Sequence, residues 1–232
     1  MVTDSSPPAI GSDPTTVQAE PEPAFGRVLA FSDGVFAFAI TLMVLAIRVP
    51  HPTDADAGSG LLTLLAGQWP AYLAFALSFF WVGLAWASHR VMFSKLIRTD
   101  HILIWTNLLF PLLIAFLPIP TAVVGQWLGS SRENQLTAML FYGAVATSEG
   151  LVYNLLWWYA AYWGKLTTPR LTPEVRRAHT KAWAVAPLLA AGMTLLAFID
   201  ARLAFAGFLA LGIAYVFPMP RIVLSLLRQR PG

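Results

Sequence analysis

Hydrophobic residues dominate six long stretches of the chain, at 29–49, 69–90, 102–124, 136–163, 181–199 and 201–226, and short polar segments separate them. Each stretch approaches or exceeds the roughly 20 residues that an α-helix needs to cross a bilayer. Residues 1–24 are instead acidic and rich in proline, with almost nothing to bury. The pattern predicts an all-α membrane protein with a disordered tail at 1–24, a six-helix transmembrane domain at 25–226 and a short basic tail at 227–232.

The composition supports a membrane protein. Hydrophobic residues make up 57% of the chain and charged residues 12%, whereas soluble domains contain roughly 25% charged residues. The sequence has no cysteine, which excludes disulfides, thiolate metal sites and thiol nucleophiles. We expect no cofactor and no nucleic-acid partner.

Basic residues are distributed unequally between the two sides of such a six-helix chain. The two termini and the loops after the second and fourth stretches share one side, with twelve of the 15 lysines and arginines. The other side holds only Arg48, Arg132 and Arg202. Basic residues accumulate on the cytoplasmic side of membrane proteins. The asymmetry predicts cytoplasmic N- and C-termini and a multi-pass protein of the cytoplasmic (inner) cell membrane.

Proline and small residues predict local features of the helices. Pro111, Pro118 and Pro120 should bend or end the third helix, and Leu61 to Leu65 should form a short amphipathic lead-in to the second. Small residues recur every four positions in the fifth and sixth stretches, at Ala186, Ala190 and Thr194 and at Ala206, Ala210 and Ala214. Such spacing lets helices approach closely, so both series predict packing faces.

The first stretch presents one apolar face on a helical wheel. At 100° per residue, the residues within about 60° of Phe38 are Phe31, Gly34, Thr41, Leu42, Leu45 and Val49. The opposite side holds Asp33, Phe36, Ile40, Val44 and Ile47. Several copies around an axis would form apolar rings at Phe38, Leu42 and Leu45, which can gate ions by dewetting, and a ring of Thr41 hydroxyls. A stripe facing lipid or the core is the alternative that periodicity leaves open.

The first helix also begins with two ionisable residues, Arg27 and Asp33. A charged side chain within a membrane helix costs roughly 2.5–3.5 kcal/mol on insertion scales, and it normally has a partner and a function. The segment Arg27-x-x-x-Phe31-Ser32-Asp33-Gly34, continuing into Phe-Ala-Phe-Ala-Ile-Thr-Leu-Met-Val-Leu, resembles the signature of the endosomal and lysosomal potassium channel family. Weaker similarities follow at Trp86-x-x-His89, Asn107 and Pro118-x-Pro120-Thr121.

The resemblance implies a potassium channel made of single-repeat, six-helix subunits that assemble as a homotetramer with the first helix lining the pore. It places the hydrophobic gate at Phe38, with further apolar layers at Leu42 and Leu45. It links Thr41 to potassium preference, with potassium bound only transiently. It also implies a polar network behind the pore, formed by Arg27, Ser32, Asp33, Trp86, His89 and Asn107.

Two positions depart from the pattern that the resemblance implies. Relatives usually have isoleucine where this chain has Phe38, and a larger ring would narrow or stiffen the constriction. The position of Ala46 is often acidic in relatives, so this chain is expected to lack an acidic ring near the outer mouth. The sequence has no Thr-Val-Gly-Tyr-Gly filter, so selection by a carbonyl cage is not available to it.

Glu149 lies midway along the fourth stretch, where the sequence offers no obvious partner. A hydrogen-bond network with Ser148 or Asn154, or a polar contact between helices, is the simpler interpretation. The alternative is a proton-coupled transporter that uses Asp33, His89 and Glu149 as a relay. An enzyme is disfavoured, because the histidines and acids do not form a metal-binding pair of the His-Glu-x-x-His type.

Overall fold

The computed structural model describes residues 23–216, with side chains described over 25–214, and this part of the chain is mostly helical. Its α-helices are α1 (Pro23–Leu42), α2 (Leu61–Gly67), α3 (Trp69–Phe93), α4 (His101–Phe116), α5 (Pro118–Trp127), α6 (Arg132–Trp158), α7 (Pro173–Leu196) and α8 (Ala201–Val216). Residues 1–22 of the expected tail at 1–24, the expected tail at 227–232 and the end of the sixth stretch lie outside the described residues. α1 begins two residues before the predicted domain boundary at 25.

Three segments of the described chain are long and apolar enough to cross a membrane: Phe25–Ala46, Trp69–Phe93 and His101–Trp127. The apolar run Ala201–Ala214 in α8 is shorter. α6 and α7 are as long as the three candidate spans but more polar. The described chain therefore has the helical, membrane-spanning character that the hydrophobic pattern predicted.

The third predicted span is divided into α4 and α5 at Leu117. Pro118 has no N–H to donate to the preceding turn, so it ends α4 and begins α5, as predicted. Leu117 keeps a helical backbone, and its carbonyl accepts the N–H of Thr121 at 3.1 Å. Pro111 lies inside α4 and does not end it.

The C-terminal end of α1 changes its winding. The α-helix ends at Leu42 and a 3₁₀ turn continues over Met43–Ala46, after which Ile47 is extended, with φ −89° and ψ 117°. A polar loop follows, and α2 is the short helix that was predicted to precede α3, with none of its residues buried. The first span is thus an α-helix for most of its length. At its end it becomes a 3₁₀ helix, which is narrower and rises further per residue.

α6 and α7 are in close contact through small residues. A Cβ atom on Gly143 would lie 2.1 Å from Oγ1 of Thr194, and one on Gly150 would lie 2.9 Å from Cβ of Pro187. Ala190 is buried beside this contact, so the predicted packing face of α7 is confirmed.

The predicted packing face of α8 is wrong for contacts within the chain, because its small-residue series is exposed, at Ala206, Ala210 and Ala214. α8 instead buries Phe205 and Phe208. The ring of Phe208 packs edge-on against Trp81 at 5.9 Å and against Tyr142 at 5.5 Å, measured between ring centroids. The face of α8 that packs within the chain is therefore the one that carries these aromatic side chains, and not the small-residue series.

The loops pair across the ends of the bundle. The N–H of Ile97 donates to the carbonyl of Leu166 at 3.0 Å, and the N–H of Thr168 donates to that of Lys95 at 2.8 Å. These bonds join the loop after α3 to the loop after α6. The loop before α6 meets the turn after α7, where Arg132 donates to the carbonyl of Ile199 at 3.4 Å.

Candidate functional site

α1 exposes a continuous apolar stripe. Phe38 is 63% exposed and Leu45 75% exposed, and the same side includes Phe31 and Val49, while Leu42 is partly exposed. These are residues that the wheel grouped around Phe38. A stripe of this kind on a single chain requires lipid, a second copy or a narrow conduit to cover it.

Thr41 is the one hydroxyl on this stripe, and it is exposed. Its Oγ1 donates to the carbonyl of Phe38 at 2.7 Å, within the same helix. A hydroxyl has one hydrogen and two lone pairs. The lone pairs of Thr41 therefore stay available to a cation, although the hydrogen is already used.

The opposite side of α1 is buried against α3 and α4. Phe36, Ala39 and Met43 lie in the core, and the ring of Phe36 meets Phe110 edge-on at a centroid distance of 5.8 Å. The wheel placed Val44 on this buried side, but Val44 is 49% exposed. That expectation was wrong because the 3₁₀ turn advances about 120° per residue instead of 100°.

A buried chain of hydrogen bonds connects α1 to α4 and α3. Nε2 of His89 lies 2.8 Å from Oδ1 of Asn107, and Nδ2 of Asn107 donates to Oγ of Ser32 at 3.0 Å. Ser32 completes the chain by donating to the carbonyl of Val28 at 3.0 Å. All three polar side chains are buried, and the His89 ring stacks on Phe93 at 4.2 Å. These hydrogen bonds fix the buried side of α1 to α3 and α4, and they do not involve its exposed stripe.

A second, more exposed set of contacts holds Asp33. Nε1 of Trp86 donates to Oδ1 of Asp33 at 2.8 Å, and Nη1 of Arg90 donates to Oδ2 at 2.9 Å. Trp86 and Arg90 lie one turn apart on the same face of α3, so each can donate to one of the two carboxylate oxygens of Asp33. Arg90 is one of the twelve basic residues counted toward the topology, and its i, i+4 spacing from Trp86 is the feature of the sequence that points to this contact.

Arg27 joins neither set, since the hydrogen bonds and ion pairs described over 25–214 do not include it. Its side chain is exposed and borders a shallow groove with Phe31, Ile104 and Asn107. Arg27 lies six residues before Asp33, about 120° away around α1 and nearly two turns along it. Arg90, from the neighbouring helix, is the cation that pairs with Asp33. The structure thus places five of the six predicted network residues in two separate hydrogen-bonded sets, and Arg27 in neither.

Glu149 is buried elsewhere, in α6, with 2% of its surface exposed. Nε1 of Trp81 donates to its Oε2 at 2.8 Å, while its Oε1 has no partner among the described residues. The polar contact between helices, which was the simpler interpretation of Glu149, is therefore present, with α3 as the partner. Asn154 also bonds between helices, donating to the carbonyl of Trp183 in α7 at 3.0 Å.

Clusters of three or more His, Cys, Asp or Glu side chains that could hold a metal are absent from residues 23–216. The stripe itself offers exposed apolar side chains and one hydroxyl, on a helix whose other side is buried.

Comparisons with known proteins identify relatives of this arrangement. The model of the family described as endosomal/lysosomal potassium channel TMEM175 matches residues 27–118. The chain is 38% identical to a potassium channel of Streptomyces collinus, over 84% of this chain and 94% of that protein. It is 36% identical to a potassium channel of Chamaesiphon minutus, over 78% of this chain and 86% of that one.

Solved structures give the same result. The crystal structure of a lysosomal potassium-selective channel TMEM175 homolog from Chamaesiphon minutus matches with a TM-score of 0.76 and 34% identity, over 84% of this chain and 97% of that chain. The relatives are channels and not enzymes, in line with the function class that the first helix indicated. On this similarity, the chain belongs to the endosomal/lysosomal potassium channel TMEM175 family.

Proposed function

We propose that four copies of the chain assemble around an axis and form a passive, potassium-preferring cation channel lined by α1. The observation that carries the proposal is the exposed stripe of α1, with Phe38, Thr41 and Leu45 on one side and a buried polar anchor on the other. The relatives named as potassium channels support this function. The subunit number follows the resemblance of the first helix, and a closed symmetric assembly is the usual way to cover such a surface.

The proposed pore controls permeation through the water in its constriction and around the ion. Rings of Phe38, Leu42 and Leu45 form a hydrophobic gate, which an ion crosses only when the constriction is wide enough to stay wet. Oγ1 of Thr41 contributes lone pairs that replace part of the hydration shell of a passing potassium ion. The larger ring of Phe38 makes the constriction tight. Permeation needs no cofactor, because the ion moves down its own gradient.

We also propose six spans, with both termini in the cytoplasm and the protein in the cytoplasmic (inner) membrane. The loop after α3 and the loop after α6, which this topology places on one side, are hydrogen-bonded to each other through Ile97 and Leu166. Arg132 and Ile199, which it places on the other side, are likewise in contact. Twelve basic residues then face the cytoplasm and three face outward.

A proton-coupled transporter is the second candidate, and the contacts favour it less. Asp33 bonds to Trp86 and Arg90, His89 bonds to Asn107, and Glu149 bonds to Trp81. The hydrogen bonds described over 25–214 do not link these three sets. A relay requires a continuous path for the proton.

Potassium flux into liposomes that contain the purified chain tests the proposal. We expect flux above that of empty liposomes, driven by the potassium gradient and independent of any proton gradient. Absence of flux over several voltages and pH values would contradict the channel. Saturable flux that needs a proton gradient and is lost in Glu149→Gln would favour the transporter. The mass of the detergent-solubilised protein tests the assembly, since a monomer has no axis for α1 to surround.

A further inference from the structure

An ion pair closes the loop that follows α1. Nη2 of Arg48 contacts Oδ2 of Asp54 and lies 3.9 Å from Oδ1 of Asp56. The Arg48 side chain is 60% exposed and that of Asp54 is 23% exposed. The guanidinium therefore stays close to water while its charge is opposed by a more sheltered carboxylate.

The loop itself holds Asp54 in place. Oδ2 of Asp54 accepts the backbone N–H of His51 at 2.8 Å, and the carbonyl of Asp54 accepts the N–H of Ala57 at 3.0 Å. The His51 N–H, together with Arg48, holds the pKa of Asp54 below its usual value. Asp54 is therefore ionised at neutral pH. Its carboxylate is held by the backbone of its own loop as well as by Arg48.

Arg48 lies at the end of the exposed stripe of α1. It follows Leu45 by three residues and directly precedes Val49, which is also exposed. Three residues span at most about 10 Å of extended chain. In the proposed assembly, the Cα atom of Arg48 in each subunit thus lies within about 10 Å of the Cα atom of Leu45 in the last apolar ring.

We propose that Asp54 balances the charge of Arg48 at the outer mouth of the pore and thereby sets the rate at which cations enter. This inference rests on the proposed function. Ala46 contributes no charge at this level, so the loop carboxylates are the groups that offset Arg48. Asp54 and Arg48 determine permeation without touching the ion in the gate.

Coulomb's law gives the expected size of the effect. Removing one negative charge from each of four subunits, at about 10 Å and in water, lowers cation occupancy of the mouth about sevenfold at 10 mM salt and about twofold at 150 mM. The dependence on salt distinguishes this mechanism from a change in the shape of the loop, which salt would not reverse.

The test compares potassium flux into liposomes for the full chain and its variants at 10 and 150 mM ionic strength. Asp54→Asn should reduce flux about sevenfold and about twofold at the two salt levels. Arg48→Gln alone should raise flux, because it leaves Asp54 unopposed. The double variant should return to the wild-type rate. Asp200→Asn is the matched control, because Asp200 caps α8 and contacts the N–H groups of Arg202 and Leu203 instead.

Three results would overturn the inference while leaving the proposed function intact. These are an Asp54→Asn flux equal to wild type, a double variant as slow as Asp54→Asn, or a loss that is the same at both salt levels. If Asp54→Asn does not assemble, the rise expected for Arg48→Gln still decides the question. Absence of flux in the wild type would overturn the proposed function, and this inference with it.

Discussion

α1 and α6 are stabilised in opposite ways. α6 is buried on most sides, and its Tyr142 and Trp157 are among the largest fully buried side chains described. Its glycines also allow α7 to come into contact with its backbone. α1 is buried on one side only, where hydrogen bonds through Asn107 fix it to α3 and α4. The difference shows how a helix can be held firmly on one side while its other face stays uncovered by its own chain.

The largest effect is expected where α6 depends on close contact. In Gly143→Ala the new Cβ would meet Thr194 at 2.1 Å, so the two helices must separate. Overpacking of this kind costs about 1–3 kcal/mol and occasionally more. A thermal unfolding midpoint measured in detergent should fall by several degrees or the protein should fail to assemble. Gly192→Ala in α7 is the matched control, since nothing lies within 4 Å of its added Cβ.

Breaking the anchor of α1 should have the next largest effect. Asn107→Leu leaves Nε2 of His89 buried without its partner and removes the bond that Oγ of Ser32 accepts, so that Ser32 keeps only its bond to the carbonyl of Val28. Hydrogen bonds between membrane helices contribute about 0.6 kcal/mol on average and at most about 1.7, so we expect a loss of about 1–3 kcal/mol for the two. Unfolding in detergent measures it. Thr106→Val is the control, because the partly exposed Thr106 bonds only to Ile102 in its own helix. A stability equal to wild type would contradict the anchor.

On the free face, substitution should change flux and leave stability nearly unchanged. Phe38→Ala removes a ring that is 63% exposed, so it loses little packing within the chain and widens the proposed constriction. Potassium flux into liposomes should rise several-fold, with an unfolding midpoint close to that of wild type. Phe198→Ala removes a phenylalanine of similar exposure, 56%, outside α1, and its flux should not change. Equal flux in both variants would place the constriction elsewhere.

The smallest structural perturbation is Thr41→Val, which replaces one exposed hydroxyl by a methyl group of similar size. The lost bond to Phe38 lies within a single helix, so stability should stay within about 0.5 kcal/mol. Flux should persist, and the preference for potassium over sodium should decrease. Reversal potentials under mixed potassium and sodium gradients measure the change. A variant with unaltered selectivity would remove Thr41 from the account.

The sequence predicted the faces of α1 as far as Leu42 because a regular helix has a known period. The sequence did not predict that Val44 is exposed. Its exposure follows from the change to 3₁₀ winding, which depends on how Met43 packs in the core. The ion pair between Arg90 and Asp33 depends on how α1 packs against α3. The periodicity within either helix does not specify that packing.

Other features could be predicted for local reasons. Pro118 ends α4 because of a property of proline itself. The partner of Glu149 could not be named, because many indoles and hydroxyls could have met it and only packing selected Trp81. The residues nearest to the proposed permeation path were thus easier to identify than the helix contacts that support them.

The 3₁₀ turn at Met43–Ala46 gives the tip of α1 an adjustable length. A 3₁₀ helix rises about 2.0 Å per residue and an α-helix about 1.5 Å. Rewinding these four residues as α-helix would shorten the tip by about 2 Å and rotate Leu45 by roughly 60°. Phe38, below the turn, would keep its position. Leu45 therefore changes its direction from about 40° on one side of Phe38 to about 20° on the other, while α1 below Leu42 stays unchanged.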